Sequence, residues 1–144
     1  MPYTTTYLDN GKGLLKTGTG IVTGVDIYSS TVRQGNDENT RRVCYGLADF
    51  TDTTELKITP DEIRSLVEAN RKVASFCPGI YVAIIAPSAF SYAMSRLWHT
   101  TGDDLPWISN VFHARADAIA WLRKQFLLRD ETGALLAQFP YLNR

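Results

Sequence analysis

Ile80-Tyr81-Val82-Ala83-Ile84-Ile85-Ala86 is an unbroken apolar run, stopped by Pro87-Ser88 and followed by Ala89-Phe90-Ser91-Tyr92-Ala93-Met94-Ser95-Arg96-Leu97-Trp98. The run is far shorter than the roughly 20 residues that cross a bilayer. Without polar alternation it cannot leave one face in water, so it predicts a strand buried on both faces. The helical spacing after the proline predicts the helix that this strand feeds, and the pair makes this an α/β chain.

The same grammar extends in both directions. Tyr3-Thr4-Thr5-Thr6-Tyr7-Leu8, the turn Asp9-Asn10-Gly11-Lys12-Gly13 and Leu14-Leu15-Lys16-Thr17-Gly18-Thr19 read as an opening hairpin. Thr23 and Asp26 form a capping-box pair ahead of a short helix carrying Val25, Ile27, Tyr28, Thr31 and Val32. Residues 33–40 are polar and aperiodic, hence a solvated loop. Val43-Cys44-Tyr45-Gly46-Leu47-Ala48 is the next interior strand, ending at Asp49 before the polar loop Thr51-Asp52-Thr53-Thr54. Thr59-Pro60-Asp61-Glu62 supplies an N-cap, a proline at the first helical position and a carboxylate at the third. Ile63, Leu66, Val67, Asn70, Val73, Ala74 and Cys77 share one face of the helix it starts. Trp107-Ile108-Ser109-Asn110-Val111-Phe112 is the last strand, and a final helix carries Ile119, Leu122 and Phe126, with Ala114 at its cap position. Alternation from residue 43 onward implies parallel neighbours joined by right-handed crossovers, so the hairpin makes the sheet mixed.

With 144 residues, 44% of them hydrophobic, the chain forms one domain, 1–144, that buries about 70% of its unfolded surface. Residues 130–144 form an apolar tail, which docks on the body or on a second copy. Fifteen basic residues balance fifteen acidic ones, so no net field gathers nucleic acid or acidic lipid. No apolar run spans a bilayer, and Met1 to Tyr7 lacks a signal core, which points to a cytoplasmic protein without membrane insertion. Cys44 and Cys77 cannot build a disulfide framework and read as reduced thiols.

Ligands of open α/β sheets gather beyond the carboxyl ends of parallel strands, which directs attention to Asp49, Ser88 and Phe112-His113. Asp49 can bind a hydroxyl or activate water, or simply organise its own loop. Ser88 can offer its hydroxyl to an anion or cap a helix. Tyr92 and Arg96 follow one turn apart and can share that ligand. Asp49, Ser88, Tyr92 and Arg96 are thus the candidate ligand-binding residues, with Phe90, Trp98 or Trp107 as aromatic walls, although core packing also accounts for the tryptophans. His99 and His113 lack zinc-ligand spacing, so no metal is expected. No catalytic, phosphate-cradling or dinucleotide motif appears, so neither a catalytic set nor a cofactor is expected.

Tyr45-Gly46-Leu47-Ala48-Asp49-Phe50, Val82-Ala83-Ile84-Ile85-Ala86-Pro87, and Val111-Phe112 followed by Ala118-Ile119-Ala120-Trp121-Leu122 together resemble a family of small bacterial proteins with a STAS-like fold. That family is related in shape to sporulation anti-anti-sigma factors and to lipid-transfer proteins. The resemblance covers residues 3 to 126 and implies a single-domain mixed sheet with about four helices. It implies a non-enzymatic module that contacts a regulatory protein partner, as a homodimer touching through Leu135 to Leu142. The alternative it carries is a small apolar or lipid-like ligand; an enzyme using Asp49 or a histidine is the third possibility. In anti-anti-sigma factors a serine in an Asp-Ser-Ser-Gly-like turn is phosphorylated, and Thr59 occupies the similar place. Here Pro60 follows directly, the paired serines and glycine are missing, and Thr59 already serves as an N-cap.

Overall fold

β1 (Tyr3–Leu8) and β2 (Gly13–Thr23) pair antiparallel in the computed structural model, which describes residues 1–144. Their connection is a single 3-10 turn, Asp9–Gly11, in which Asp9 and Asn10 take left-handed backbone angles. Asp9 also anchors the turn: its carboxylate accepts from the Tyr45 hydroxyl at 2.5 Å and from the Tyr141 backbone amide at 3.0 Å. Gly13 must be glycine, because a Cβ there would come within 2.4 Å of the Tyr45 ring.

α1 (Gly24–Gln34), β3 (Tyr45–Lys57), α2 (Pro60–Phe76), β4 (Tyr81–Ile85), α3 (Ala89–Thr101), β5 (Ile108–Phe112) and α4 (Arg115–Arg129) follow in turn. The five strands stand in chain order, and every pair after the first is parallel. Crossovers of one hand that always step the same way place their helices on one face. α1, α2 and α3 accordingly cover one side, where Ile27, Ile63, Leu66, Val67 and Trp98 meet Val22, Phe50 and Ile84. α4 feeds no further strand and closes the opposite face, setting Ala118, Leu122 and Phe126 against Tyr45, Leu47, Tyr81, Ala83 and Ile85.

Two predicted boundaries are corrected. Thr51 to Thr54 are strand rather than loop: beyond Asp49, where β4 ends, β3 continues beside β2 from Thr19↔Asp52 to Thr23↔Lys57. Phe50 is kept inside and Thr53 half-buried while Thr51, Asp52, Thr54 and Glu55 are exposed, a pattern that looks like loop when only polarity is read. The polar stretch after α1 is likewise not wholly irregular, since Glu38–Arg42 form a 3-10 segment capped by Asp37.

The tail folds onto the α4 face. Leu136, Phe139, Tyr141 and Leu142 are buried there, and Phe139 packs 4.5 Å from the Phe126 ring centroid and 5.5 Å from that of Tyr45. Arg123 donates to the Leu142 carbonyl at 2.9 Å and Asn143 to the carbonyls of Leu136 and Phe139. These apolar side chains are thereby committed to the chain's own core.

Candidate functional site: a cavity between the sheet and three helices

Small side chains on the central strand leave a space that the helices do not fill. Gly46 and Ala48 of β3 face α1–α3, and a Cβ built on Gly46 would meet only the Leu14 carbonyl oxygen, at 3.9 Å. Glycine inside a strand marks a bend, a bulge or a close approach by something else. Here it opens a cavity of about 140 Å³. Val82 and Ile84 extend the floor, and Ile63, Leu66, Met94, Trp98 and Trp107 form the walls.

Polar groups meet this apolar space at two places. At one end Lys16 Nζ donates to Thr5 Oγ1 at 2.7 Å, Ser30 Oγ at 2.7 Å and Gln34 Oε1 at 3.1 Å. Gln34 Nε2 donates in turn to the Tyr7 hydroxyl at 2.8 Å and to Thr40 Oγ1 at 2.5 Å. The Tyr7 hydroxyl donates to Asp37 Oδ2 at 2.7 Å, which holds that carboxyl below the usual carboxylate range. Burial, assisted by the charge of Arg33, pulls the Lys16 ammonium down to about 8. Its three bonded partners are all neutral, and no carboxylate lies within ion-pair distance. The second place is the α2–α3 wall, where Trp98 Nε1 donates to Asn70 Oδ1 at 2.9 Å. Asn70 and Ser95 are 9% and 6% exposed, yet the Asn70 amide nitrogen and the Ser95 hydroxyl make no hydrogen bond within the protein. Neither atom is fully enclosed, the one fully enclosed side-chain oxygen without a partner being Thr53 Oγ1, so both can pair with water or with a guest entering the cavity.

The lining is suited to holding rather than to attacking. Cys77 is its one thiol; burial pushes it up to about 11 and its Sγ donates to the Val73 carbonyl at 3.4 Å, so the nucleophilic thiolate is suppressed. Neither histidine hydrogen-bonds it. His99 Nδ1 lies 2.7 Å from Ser109 Oγ, outside the cavity, with no carboxylate bonded to the imidazole. No group of three or more His, Cys, Asp or Glu converges as metal ligands do, and no helix is long and apolar enough to cross a membrane.

Of the residues nominated from sequence, Asp49 turns toward α4: Oδ2 accepts from Arg115 Nη1 at 3.2 Å and Oδ1 from the Thr51 amide at 2.9 Å. Ser88 caps α3 by accepting from the Ser91 amide at 3.0 Å. Tyr92 stacks on His113, with ring centroids 4.0 Å apart, and Arg96 is exposed without an ion pair. Tyr92 and Arg96 thus lie on α3 with Ser88 as its cap, Asp49 sits across the sheet from them, and none of the four lines the cavity. Thr59 is exposed and closes a capping box, its Oγ1 accepting from the Glu62 amide at 3.2 Å while Glu62 accepts from the Thr59 amide at 2.9 Å. Thr59→Ala is expected to lower unfolding free energy by about 1 kcal/mol in urea titration, through the lost cap alone.

Sequence reasoning missed Lys16, Gly46 and Ser95 as site residues. Gly46 had a readable signal, a glycine interrupting an apolar strand, and so did Asn70, a polar residue in the apolar register of α2. Lys16 and Ser95 had none, since only the fold brings them to the cavity.

No family model and no curated protein matches the chain. Among solved structures it is similar to the anti-sigma factor antagonist SpoIIAA in its unphosphorylated form, with a TM-score of 0.52 at 10% identity over 84% of this chain and 97% of that one. An uncharacterised protein of the DUF3478 family with a SpoIIAA-like fold, from Shewanella loihica PV-4, aligns with a TM-score of 0.48 at 17% identity over 83% of this chain and 91% of its own. The fold is therefore the STAS-like fold of SpoIIAA.

Proposed function

We propose that the chain is a non-catalytic binding module that takes a small, mainly apolar molecule into the cavity between the sheet and α1–α3. The observation that carries this reading is Gly46, where the central strand withholds a side chain and no other protein atom takes the space. An engineered apolar cavity of about 150 Å³ accepts benzene, so 140 Å³ fits a guest of roughly six to ten heavy atoms. Unpaired polar atoms at Asn70 and Ser95 add the few directional contacts such sites use. Native mass spectrometry of protein purified from its own host tests this. A retained adduct of small mass, released on denaturation, is expected; bare protein whose melting temperature no small apolar compound raises would contradict the reading.

A regulatory protein contact is the second reading. Its support is the fold shared with an anti-sigma factor antagonist together with an exposed apolar stripe of Ile21, Val25, Tyr28 and Val32 along the end of β2 and α1. With the tail buried, that stripe is an exposed apolar surface open to a protein partner or a second copy, alongside Phe90, Ile108, Leu127 and Leu128 elsewhere. Thr59, exposed at the positive end of α2, would be the position for a phosphate. Replacing Val25 and Tyr28 with glutamate is expected to abolish any self-association in sedimentation and any specific capture from native lysate, with melting unchanged. A wild-type protein that is monomeric and captures nothing would remove this reading.

A further inference from the structure

Lys16 is the only charged side chain lining the cavity. Its ammonium is held by β1 and α1 through Thr5, Ser30 and Gln34, which orient it without neutralising it. Asp37 is near enough for its charge to oppose that of Arg33 at the ammonium, but it makes no ion pair with it. Asp37 is engaged by the Tyr7 hydroxyl and the Asn39 amide, and Arg33 adds a like charge. A half-buried cation with no ion-pair partner is a poor arrangement for the empty fold and a good one for an anionic guest, because charge-assisted hydrogen bonds gain strength as water is excluded. All three ammonium N–H groups are taken in the free protein, so an anion in the cavity exchanges with one acceptor, Gln34 being the one that also lines the cavity. From this end the apolar floor runs past Gly46 to the wall of Trp98 and Trp107.

Resting on the reading that the cavity is a ligand site, we infer that its ligand class is a small amphipathic monocarboxylate, with the carboxylate taken by Lys16 and the apolar body lying over Gly46. A single cation matches a single negative charge. A phosphate dianion would leave charge unpaired in an otherwise neutral lining.

Calorimetric titration with hexanoate and with 1-hexanol, the same chain with a neutral head, separates the claims. At pH 7 hexanoate is expected to bind at least about tenfold more tightly than hexanol. In Lys16→Met the advantage disappears and hexanol binding is retained. Because the carboxylate needs the ammonium, hexanoate affinity should also fall as pH rises through about 8, with hexanol unaffected. If Lys16→Met fails to fold, the wild-type pair and its pH profile decide. Hexanol binding as tightly as hexanoate, or a hexanoate affinity flat from about pH 7 to 9.5, overturns the carboxylate inference and leaves the cavity reading intact. Binding of neither compound overturns the cavity reading itself.

Discussion

Gly46→Val is expected to stabilise the free protein by about 1–3 kcal/mol and to weaken binding of a cavity ligand at least about tenfold. Both effects have one origin. A Cβ at Gly46 clashes with nothing, and valine has high strand propensity, so the substitution removes the conformational cost of glycine and buries carbons in space the protein leaves open. The carbons it adds occupy the floor on which the ligand lies. Gly46→Ala should show the same signs at smaller size, about 1 kcal/mol in stability with a few-fold loss of affinity. Urea unfolding and calorimetry on the same samples check the pair. Were Gly46→Val destabilising, the space beside β3 would be required by packing, and the glycine would carry no functional meaning.

Phe139→Ala is expected to cost about 3–5 kcal/mol, a large part of the stability of a domain this size. Phe139 is 0% exposed and lies between Tyr45 and Phe126, so its loss leaves a hole lined by rings that cannot all move inward. The midpoint of urea unfolding measures this. A loss below about 1 kcal/mol, accompanied by a change in oligomeric state on sedimentation, would mean that the tail serves an interface between copies rather than this chain's own core.

Both substitutions fall in positions of very different legibility. The run Ile80 to Ala86 announced β4, and the cap signals at Thr23 and at Thr59-Pro60-Asp61-Glu62 placed the starts of α1 and α2 at Gly24 and Pro60. These are local signals, written in neighbouring residues. The inner face of α1 was not legible. Its apolar residues Val25, Tyr28 and Val32 point to solvent, while Ser30, Thr31 and Gln34 are buried. Hydrophobicity therefore misassigns the faces, and the reason lies in Lys16: Ser30 and Gln34 are inside because they satisfy an ammonium contributed by β2. Thr51 to Thr54 were hidden for a related reason, since a two-stranded ribbon beyond the end of β4 can be polar on its open face.

Doubly wound sheets bind ligands at the carboxyl ends of their strands, because helices on both faces leave a crevice there, and Asp49 and Ser88 are candidates by that rule alone. In this sheet the strands follow chain order and reverse nowhere, so no switch point creates that crevice. The open space arises between layers instead, beneath Gly46 and Ala48, from residues spread over all of β1 to β4 and α1 to α3. Only Gly46 and Asn70 signalled it in the sequence.

The most direct measurement is an NMR titration of the isotopically labelled protein with hexanoate. Saturable shifts should concentrate on the amides of Gly46, Ala48, Ile84 and Ser95 and on the Trp98 and Trp107 indoles, leaving Leu122, Phe126 and Phe139 on the opposite face unmoved. Shifts confined to the α4 face or to the surroundings of Asp49, or no saturable shifts at all, would contradict a ligand site between the sheet and α1–α3.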